Sequence, residues 1–189
     1  MKFKEFPSTA QKCKLADICT FFSGGTPKTS NKEFYTGTIP FIRSGEINSE
    51  KTELFISEMG LKNSSSKMVR KGDLLIALYG ATSGDCAISK IDGAINQAVL
   101  CIRSDQNQHF LKIAWEKTVK KTLSTYLQGG QGNLSLEIIK RLEFYLPTKK
   151  EQDKITSFLN LIDNRISVEA QSLSLFQNQK QFLLKHLFI

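Results

Sequence analysis

Residues 147–189 read PTKKEQDKITSFLNLIDNRISVEAQSLSLFQNQKQFLLKHLFI. Within this stretch Ile155, Ile162, Glu169, Phe176 and Leu183 are seven apart, and so are Leu159, Ile166, Leu173, Lys180 and Leu187. The two series interleave at spacings of four and three, which is the seam of a coiled coil. Neither Gly nor Pro interrupts it after Pro147. The pattern predicts one helix on the order of 60 Å long. A single globular body cannot cover that much apolar stripe, so the helix is expected to pack against a second long helix. The rest of the sequence supplies none, so the chain is expected to work in pairs or docked on a larger partner. The ten seam positions are the predicted dimerisation residues. Glu169 and Lys180 break the seam, and a polar residue there can fix register. In an antiparallel pair crossing near residue 174 or 175, Glu169 of one chain lies level with Lys180 of the other.

Everything before the tail, residues 1–146, is expected to form one globular body, giving two domains, 1–146 and 147–189. Residues 1–13 are polar and read as an arm. Lys14–Phe22 alternates and reads as a first strand. The run Ser23-Gly24-Gly25-Thr26-Pro27-Lys28 reads as a turn in which Gly supplies positive φ and Pro fixes the next φ. Ile39–Arg43 reads as a strand before a Ser44-Gly45-Glu46 turn, while Leu54–Leu61 is ambiguous. Asn63–Lys67 is an exposed loop by composition. Leu74–Tyr79 is a nearly continuous apolar run and reads as a buried strand. Asp85–Ser89 follows as a strand, then an Asp92-Gly93 hairpin-type turn and a strand at Ala98–Ile102. The period then changes. Gln108–Leu127 suits a helix, three glycines (Gly129, Gly130 and Gly132) end it, Ser135 opens a short helix, and Leu142–Leu146 closes as a strand. Strands first and a helix later make the body α+β, with the long helix appended.

The formal net charge is +8. The tail carries six Lys/Arg against four Asp/Glu, so the excess sits mainly on the body. A basic body points to a polyanion such as nucleic acid. The cysteines Cys13, Cys19, Cys86 and Cys101 show no C-x-x-C spacing, and His109 and His186 lie far from them in sequence. The expected reading is buried free thiols in a reducing cytosol, with no metal site. No stretch is long and apolar enough to span a membrane, and the N-terminus lacks the apolar core of a signal peptide.

Catalytic patterns are thin. Gly80-Ala81-Thr82-Ser83-Gly84-Asp85 has the wrong spacing for a Walker loop and an Asp where the Lys belongs. Neither His has a nucleophile partner in the sequence pattern. Nuclease and base-methyltransferase motifs are absent, and with prolines only at 7, 27, 40 and 147 the methyltransferase tetrapeptide cannot exist. The chain therefore reads as a binder, not an enzyme, that needs no cofactor. Loop residues suit a nucleic-acid groove, with basic groups placed for phosphate and polar groups for base edges. The candidates are Lys28, Lys32, Arg43, Ser44, Lys62, Ser64, Lys67, Tyr79, Thr82, Ser83, Gln128, Gln131 and Asn133.

Several stretches in order resemble one family. They are Leu15-Ala16-Asp17-Ile18 with Ser23-Gly24-Gly25-Thr26-Pro27, then Ile39-Pro40-Phe41-Ile42-Arg43-Ser44-Gly45-Glu46-Ile47. Lys71-Gly72-Asp73-Leu74-Leu75-Ile76 with Tyr79–Gly84 follows, then Asn96-Gln97-Ala98-Val99, then Gly132-Asn133-Leu134-Ser135. Leu146-Pro147, Glu151-Gln152 and Ile155 complete the set. Together they resemble the DNA specificity subunit of type I restriction-modification systems. The resemblance implies a non-catalytic, cytoplasmic subunit whose target recognition domain reads half of a bipartite duplex-DNA site. Its helix would act as spacer and scaffold for a methyltransferase (modification) subunit, joined by a nuclease-translocase (restriction) subunit. Members of the family usually carry two recognition domains and two helices. This chain departs from that pattern with one of each, so a homodimer through the C-terminal helix is expected. The rival expectation is a coiled-coil protein-interaction adaptor without DNA specificity; a metal-dependent nuclease is a weaker third.

Overall fold

The computed structural model describes residues 5–6, 10–126 and 134–187. It divides into two units, Met1–Lys149 and Lys150–Ile189. In the first unit β1 (Gln11–Lys14) leads into α1 (Leu15–Ile18) and β2 (Cys19–Ser23). Next come β3 (Ile39–Ile42), β4 (Phe55–Ile56), α2 (Glu58–Lys62), β5 (Lys67–Val69) and β6 (Leu74–Ala77). Then follow β7 (Cys86–Ile88), β8 (Gly93–Ile95), β9 (Val99–Ser104), α3 (Gln108–Tyr126), α4 (Leu136–Lys140) and β10 (Glu143–Leu146). Short 3₁₀ turns cover Lys32–Tyr35, Ser44–Glu46 and Gly80–Thr82. The second unit is α5 (Lys149–Leu187), a helix of 39 residues. The mixed strand-and-helix body with a long terminal helix is the α+β class expected.

Two four-stranded sheets build the body, in orders β2-β9-β6-β7 and β4-β3-β8-β5, and β1 pairs with β10 in a small third sheet. The first sheet is antiparallel, whereas β3 and β8 of the second run parallel, with Phe41 opposite Ala94 and Ile42 opposite Ile95. The sequence of β6, Leu-Leu-Ile-Ala, explains its place. All four residues are buried, because the strand has no solvent side. Leu75 and Ala77 share a core with Ile42, Val69, Ile95, Val99 and Cys101 of neighbouring strands. Leu74 and Ile76 point the other way, toward Ile102 and toward Leu111, Ala114 and Trp115 of α3. Side chains alternate across a strand, so a continuous apolar run is what two covered faces require.

The structure corrects several sequence expectations. The polar segment before residue 14 is not wholly an arm, since Gln11–Lys14 forms β1 and pairs with Glu143–Leu146. Strand β1 exposes three of its four side chains, so it lacks the apolar alternation that marks a buried strand. Lys14–Phe22 is not one strand, because Leu15–Ile18 is a turn of helix whose buried residue is Leu15. Gly93 does not sit in a hairpin turn. It opens β8, and β7 and β9 are not neighbours because β6 lies between them. The thiols are free, but only Cys101 is buried, the other three being half-buried. In the loop after α2, Ser66 is buried instead of exposed.

Candidate nucleic-acid interface

Gly24–Pro27 is the framework of the first candidate group. The two glycines do not have positive φ; that region is occupied by Gly72, Gly80 and Gly84. They are needed because neighbours approach closely. A Cβ on Gly24 would lie 1.8 Å from the Ile95 carbonyl oxygen, and one on Gly25 would lie 2.1 Å from Ser65 Oγ. The segment is then stitched down from three sides. Ser66 Oγ donates to the Gly25 carbonyl at 2.5 Å. Thr26 Oγ1 donates to Gln97 Oε1 at 2.7 Å, and Tyr35 OH donates to the Pro27 carbonyl at 2.7 Å. Helix α2 joins the same frame. Its N-cap Ser57 accepts from the Gly60 N–H at 3.1 Å and donates to the Glu33 carbonyl at 2.9 Å.

These bonds hold together the elements that carry Lys28, Lys32, Lys62, Ser64 and Lys67. The four lysines are exposed, and no ion pair among the described residues engages any of them. Lys28 follows the stitched segment, Lys32 opens a 3₁₀ turn, Lys62 ends α2, and Lys67 opens β5. Ser64 is half-buried and accepts from the Ser66 N–H at 3.2 Å. The group thus presents four exposed lysines without an ion-pair partner on a fixed frame, groups suited to contact phosphate.

The second candidate group lies on different loops. Arg43 Nε is 2.9 Å from Glu46 Oε2, and its Nη2 contacts Glu53. The Glu53 N–H donates to Glu46 Oε1 at 2.9 Å. Burial pushes the Glu46 carboxyl up, but hydrogen bonds from Arg43 and from the Glu53 and Arg43 N–H groups outweigh it and hold the carboxyl below the usual range. The guanidinium, partly exposed, is therefore engaged by partners of its own chain and its charge is offset locally. Ser44 and Thr82, far apart in sequence, line one open cleft of about 380 Å³ with Asn48, Asp85, Cys86 and Glu116. Positive φ at Gly80 and Gly84 bends the second wall, where a residue with a Cβ would be strained. Trp115 Nε1 donates to the Gly84 carbonyl at 2.8 Å and ties that wall to α3. Ser83 Oγ donates to the Leu78 carbonyl at 3.0 Å, and Tyr79 is exposed. Gln128, Gln131 and Asn133 lie outside the described residues.

Sequence reasoning missed the fork between Asp73 and Arg103. Nε and Nη2 of Arg103 reach the two carboxylate oxygens at 2.9 and 2.6 Å. The guanidinium also lies 4.9 Å from the Phe22 ring centroid, and the Arg70 N–H donates to Asp73 at 2.8 Å. Burial alone would raise the Asp73 carboxyl; Arg103 and the Arg70 N–H outweigh it and hold the group below its ordinary value. No local pattern announces this pair, because 30 residues separate its members. Burial pushes the thiols of Cys86 and Cys101 up to about 12 and that of Cys19 to about 11. They stay protonated at neutral pH, whereas thiolate is the reactive form. Among the described residues no three His, Cys, Asp or Glu side chains cluster as a metal site, and no helix is long and apolar enough to cross a membrane.

Residues 7–175 match the type I restriction modification DNA specificity domain, and the chain belongs to that family. It is 27% identical over 189 aligned residues to the MjaIX specificity subunit of Methanocaldococcus jannaschii, covering 93% of this chain and 43% of that protein. The HindI specificity subunit of Haemophilus influenzae is 26% identical over 179 residues, covering 85% of this chain and 39% of that protein. The chain thus spans less than half the length of these relatives. Among solved structures, the HsdS subunit from Thermoanaerobacter tengcongensis aligns with a TM-score of 0.67 at 17% identity, over 88% of this chain and 40% of that one. The type I S subunit from M. genitalium aligns at 0.66 and 18%, over 98% and 47%. These two share the fold of this chain.

Proposed function

We propose that this chain is a sequence-reading component of a type I restriction-modification complex, with residues 1–146 binding one half of a split duplex-DNA target. The observation that carries the reading is the set of four unpaired lysines, Lys28, Lys32, Lys62 and Lys67, on a stitched frame in a member of this family. They contact phosphates and set the body's orientation. Polar groups of the body, Ser44, Ser64, Tyr79, Thr82 and Ser83, then reach base edges, and Gln128, Gln131 and Asn133 are candidates for the same role by residue type. Arg43 is a candidate for the same role, with Glu46 and Glu53 as its competitors for the guanidinium. The chain supplies recognition and leaves the chemistry to others. Helix α5 serves as spacer, pairs with a second copy, and offers a surface to the methyltransferase subunit, with the restriction subunit joining the assembly.

The test is duplex binding as a function of salt, with the chain alone and co-purified with a cognate methyltransferase subunit. Log affinity should fall linearly with log salt, by roughly 0.9 per neutralised phosphate. Replacing the four lysines by Ala should flatten that slope by roughly 0.9 for each phosphate no longer neutralised. Binding that is absent in both forms, or insensitive to salt, would sink the proposal and favour the protein-interaction adaptor.

A further inference from the structure

Among the described residues of the body, the large apolar side chains left exposed are Leu54, Phe55, Met59, Met68, Tyr79 and Tyr145. Four of these six come from residues 54–68, the stretch that also carries Lys62 and Lys67. Two of the four share a side of the second sheet with basic residues. Met68 of β5 pairs with Ala94 of β8, and Ala94 pairs with Phe41 of β3. Residues directly opposite across a ladder project from the same face of a sheet. Leu61 of α2 and Tyr35 of the Lys32–Tyr35 turn pack on that face, against Phe41, Ile56 and Ala94. Met68, α2 and the turn therefore lie on one side.

Helix geometry then places Met59. Gly60 and Leu61 form the inner side of α2. Gly60 is buried, and a Cβ there would lie 2.6 Å from the Phe34 carbonyl oxygen. At about 100° per residue, Met59 and Lys62 are the two positions of α2 farthest from that inner side. Asn63 Nδ2 donates to the Met59 carbonyl at 2.9 Å and closes the helix. Met59 is 52% exposed and Met68 42%, and Lys32 opens the turn on the same side.

We infer that Met59 and Met68 read thymine in the target, packing on its C5-methyl group in the major groove while Lys32 and Lys62 take the flanking phosphates. The inference rests on the proposed duplex binding and deepens it, since it names a base and the residues that choose it. Thymine is the base that offers an apolar group at the major-groove edge, where the other three present hydrogen-bonding atoms. A thioether on rotatable bonds adapts to such a contact. Two features favour a base over a protein on this surface. A stable protein interface takes about 800 Å² from each partner, far more than two half-exposed side chains offer. Lysine is also depleted from the core of such interfaces, whereas every base is flanked by phosphates that a cation neutralises.

The test uses the full chain co-purified with a cognate methyltransferase subunit, and duplexes carrying the methylated motif mapped for that pair. Each thymine of the motif is replaced in turn by deoxyuridine, which removes only the methyl group. Loss of one buried methyl corresponds to about a fourfold rise in Kd. At one thymine or more the parent should bind the uracil duplex about fourfold more weakly. In M59A/M68A the two duplexes should bind alike, and in M59L/M68L the difference should persist. K62A should weaken both duplexes equally and keep the difference. The unfolding midpoint of M59A/M68A should match the parent's, because both side chains are exposed. Three outcomes overturn the inference while leaving salt-dependent duplex binding intact: a motif whose defined bases include no T·A pair, a parent that tolerates uracil everywhere, or a penalty that survives in M59A/M68A. Loss of the methyltransferase subunit from M59A/M68A, with uracil discrimination unchanged, assigns the surface to a protein instead. Duplex binding that is absent altogether overturns the functional reading, and this inference with it.

Discussion

The body and α5 use the same kinds of residue to opposite ends. In the body, Phe41, Ile42, Ile56, Leu74, Leu75, Ile76 and Leu111 are almost wholly withdrawn from solvent. In α5, the large apolar residues from Ile162 to Leu187 remain exposed. Burying a Leu, Ile or Phe side chain contributes about 1.5–3 kcal/mol. The body collects that stabilisation within one chain, and on the proposed self-pairing the exposed stretch of the helix collects it from a second copy. Changes in the body should therefore be read in unfolding curves, and changes in the helix in association.

A large effect on association, with none on the body, should come from the helix. Leu173→Asp places a carboxylate on the exposed apolar seam and, on the proposed self-pairing, should weaken association by about 100-fold or more, while the unfolding midpoint of the body stays put. A fall in body stability would break the contrast between the two regions. In the body, Trp115→Ala removes the ring that covers the apolar face of the first sheet and the donor to Gly84. It should cost about 3–5 kcal/mol in denaturant unfolding, and Trp115→Phe markedly less. Gly24→Ala drives a Cβ into the Ile95 carbonyl and should cost about 3 kcal/mol.

Smaller effects sharpen the picture. Asp73→Asn should cost about 2 kcal/mol, since it weakens the fork and leaves Arg103 without its counter-charge. The pH dependence has a definite sign. The folded Asp73 carboxyl lies below its unfolded value, so its stabilisation is present above about pH 4 and lost as pH falls through the folded value. Acid titration of unfolding should be shallower in Asp73→Asn than in the parent. The smallest expected effect distinguishes the two candidate groups on the body. Lys28→Ala should weaken duplex binding with an unfolding change within about 0.5 kcal/mol. Arg43→Ala, which frees Glu46 and Glu53, should lower stability by about 1 kcal/mol.

How much of this was legible in the sequence follows from where each signal resides. Helix α5 was legible because its stripe repeats over many turns, and β6 because an apolar run needs both faces covered. Ser135 was legible as a cap because its hydroxyl accepts from the Ile138 N–H three residues on, at 3.3 Å. Strand β1 was not, because an edge strand with exposed side chains carries no pattern. Strand β8 was hidden because it is only Gly93–Ile95, and Asp-Gly imitates a hairpin turn. Gly24 and Gly25 were noticed for the wrong reason: close approach from Ile95 and Ser65 is a tertiary fact, invisible to turn chemistry. The candidate site was partly legible for the same reason. Loop composition flagged the lysines and serines. It did not reveal that Arg43 is held by Glu46 and Glu53, that Ser44 and Thr82 share a cleft, or that Asp73 grips Arg103.

The most direct test of the central claim is to co-express this chain, as the sole specificity component, with a cognate methyltransferase subunit and map the methylated sites across a genome. The account predicts one bipartite motif whose halves are inverted repeats around a nonspecific spacer, with the spacer changing when turns are added to or removed from α5. Methylation without a defined motif, or at a motif with two unlike halves, would contradict it.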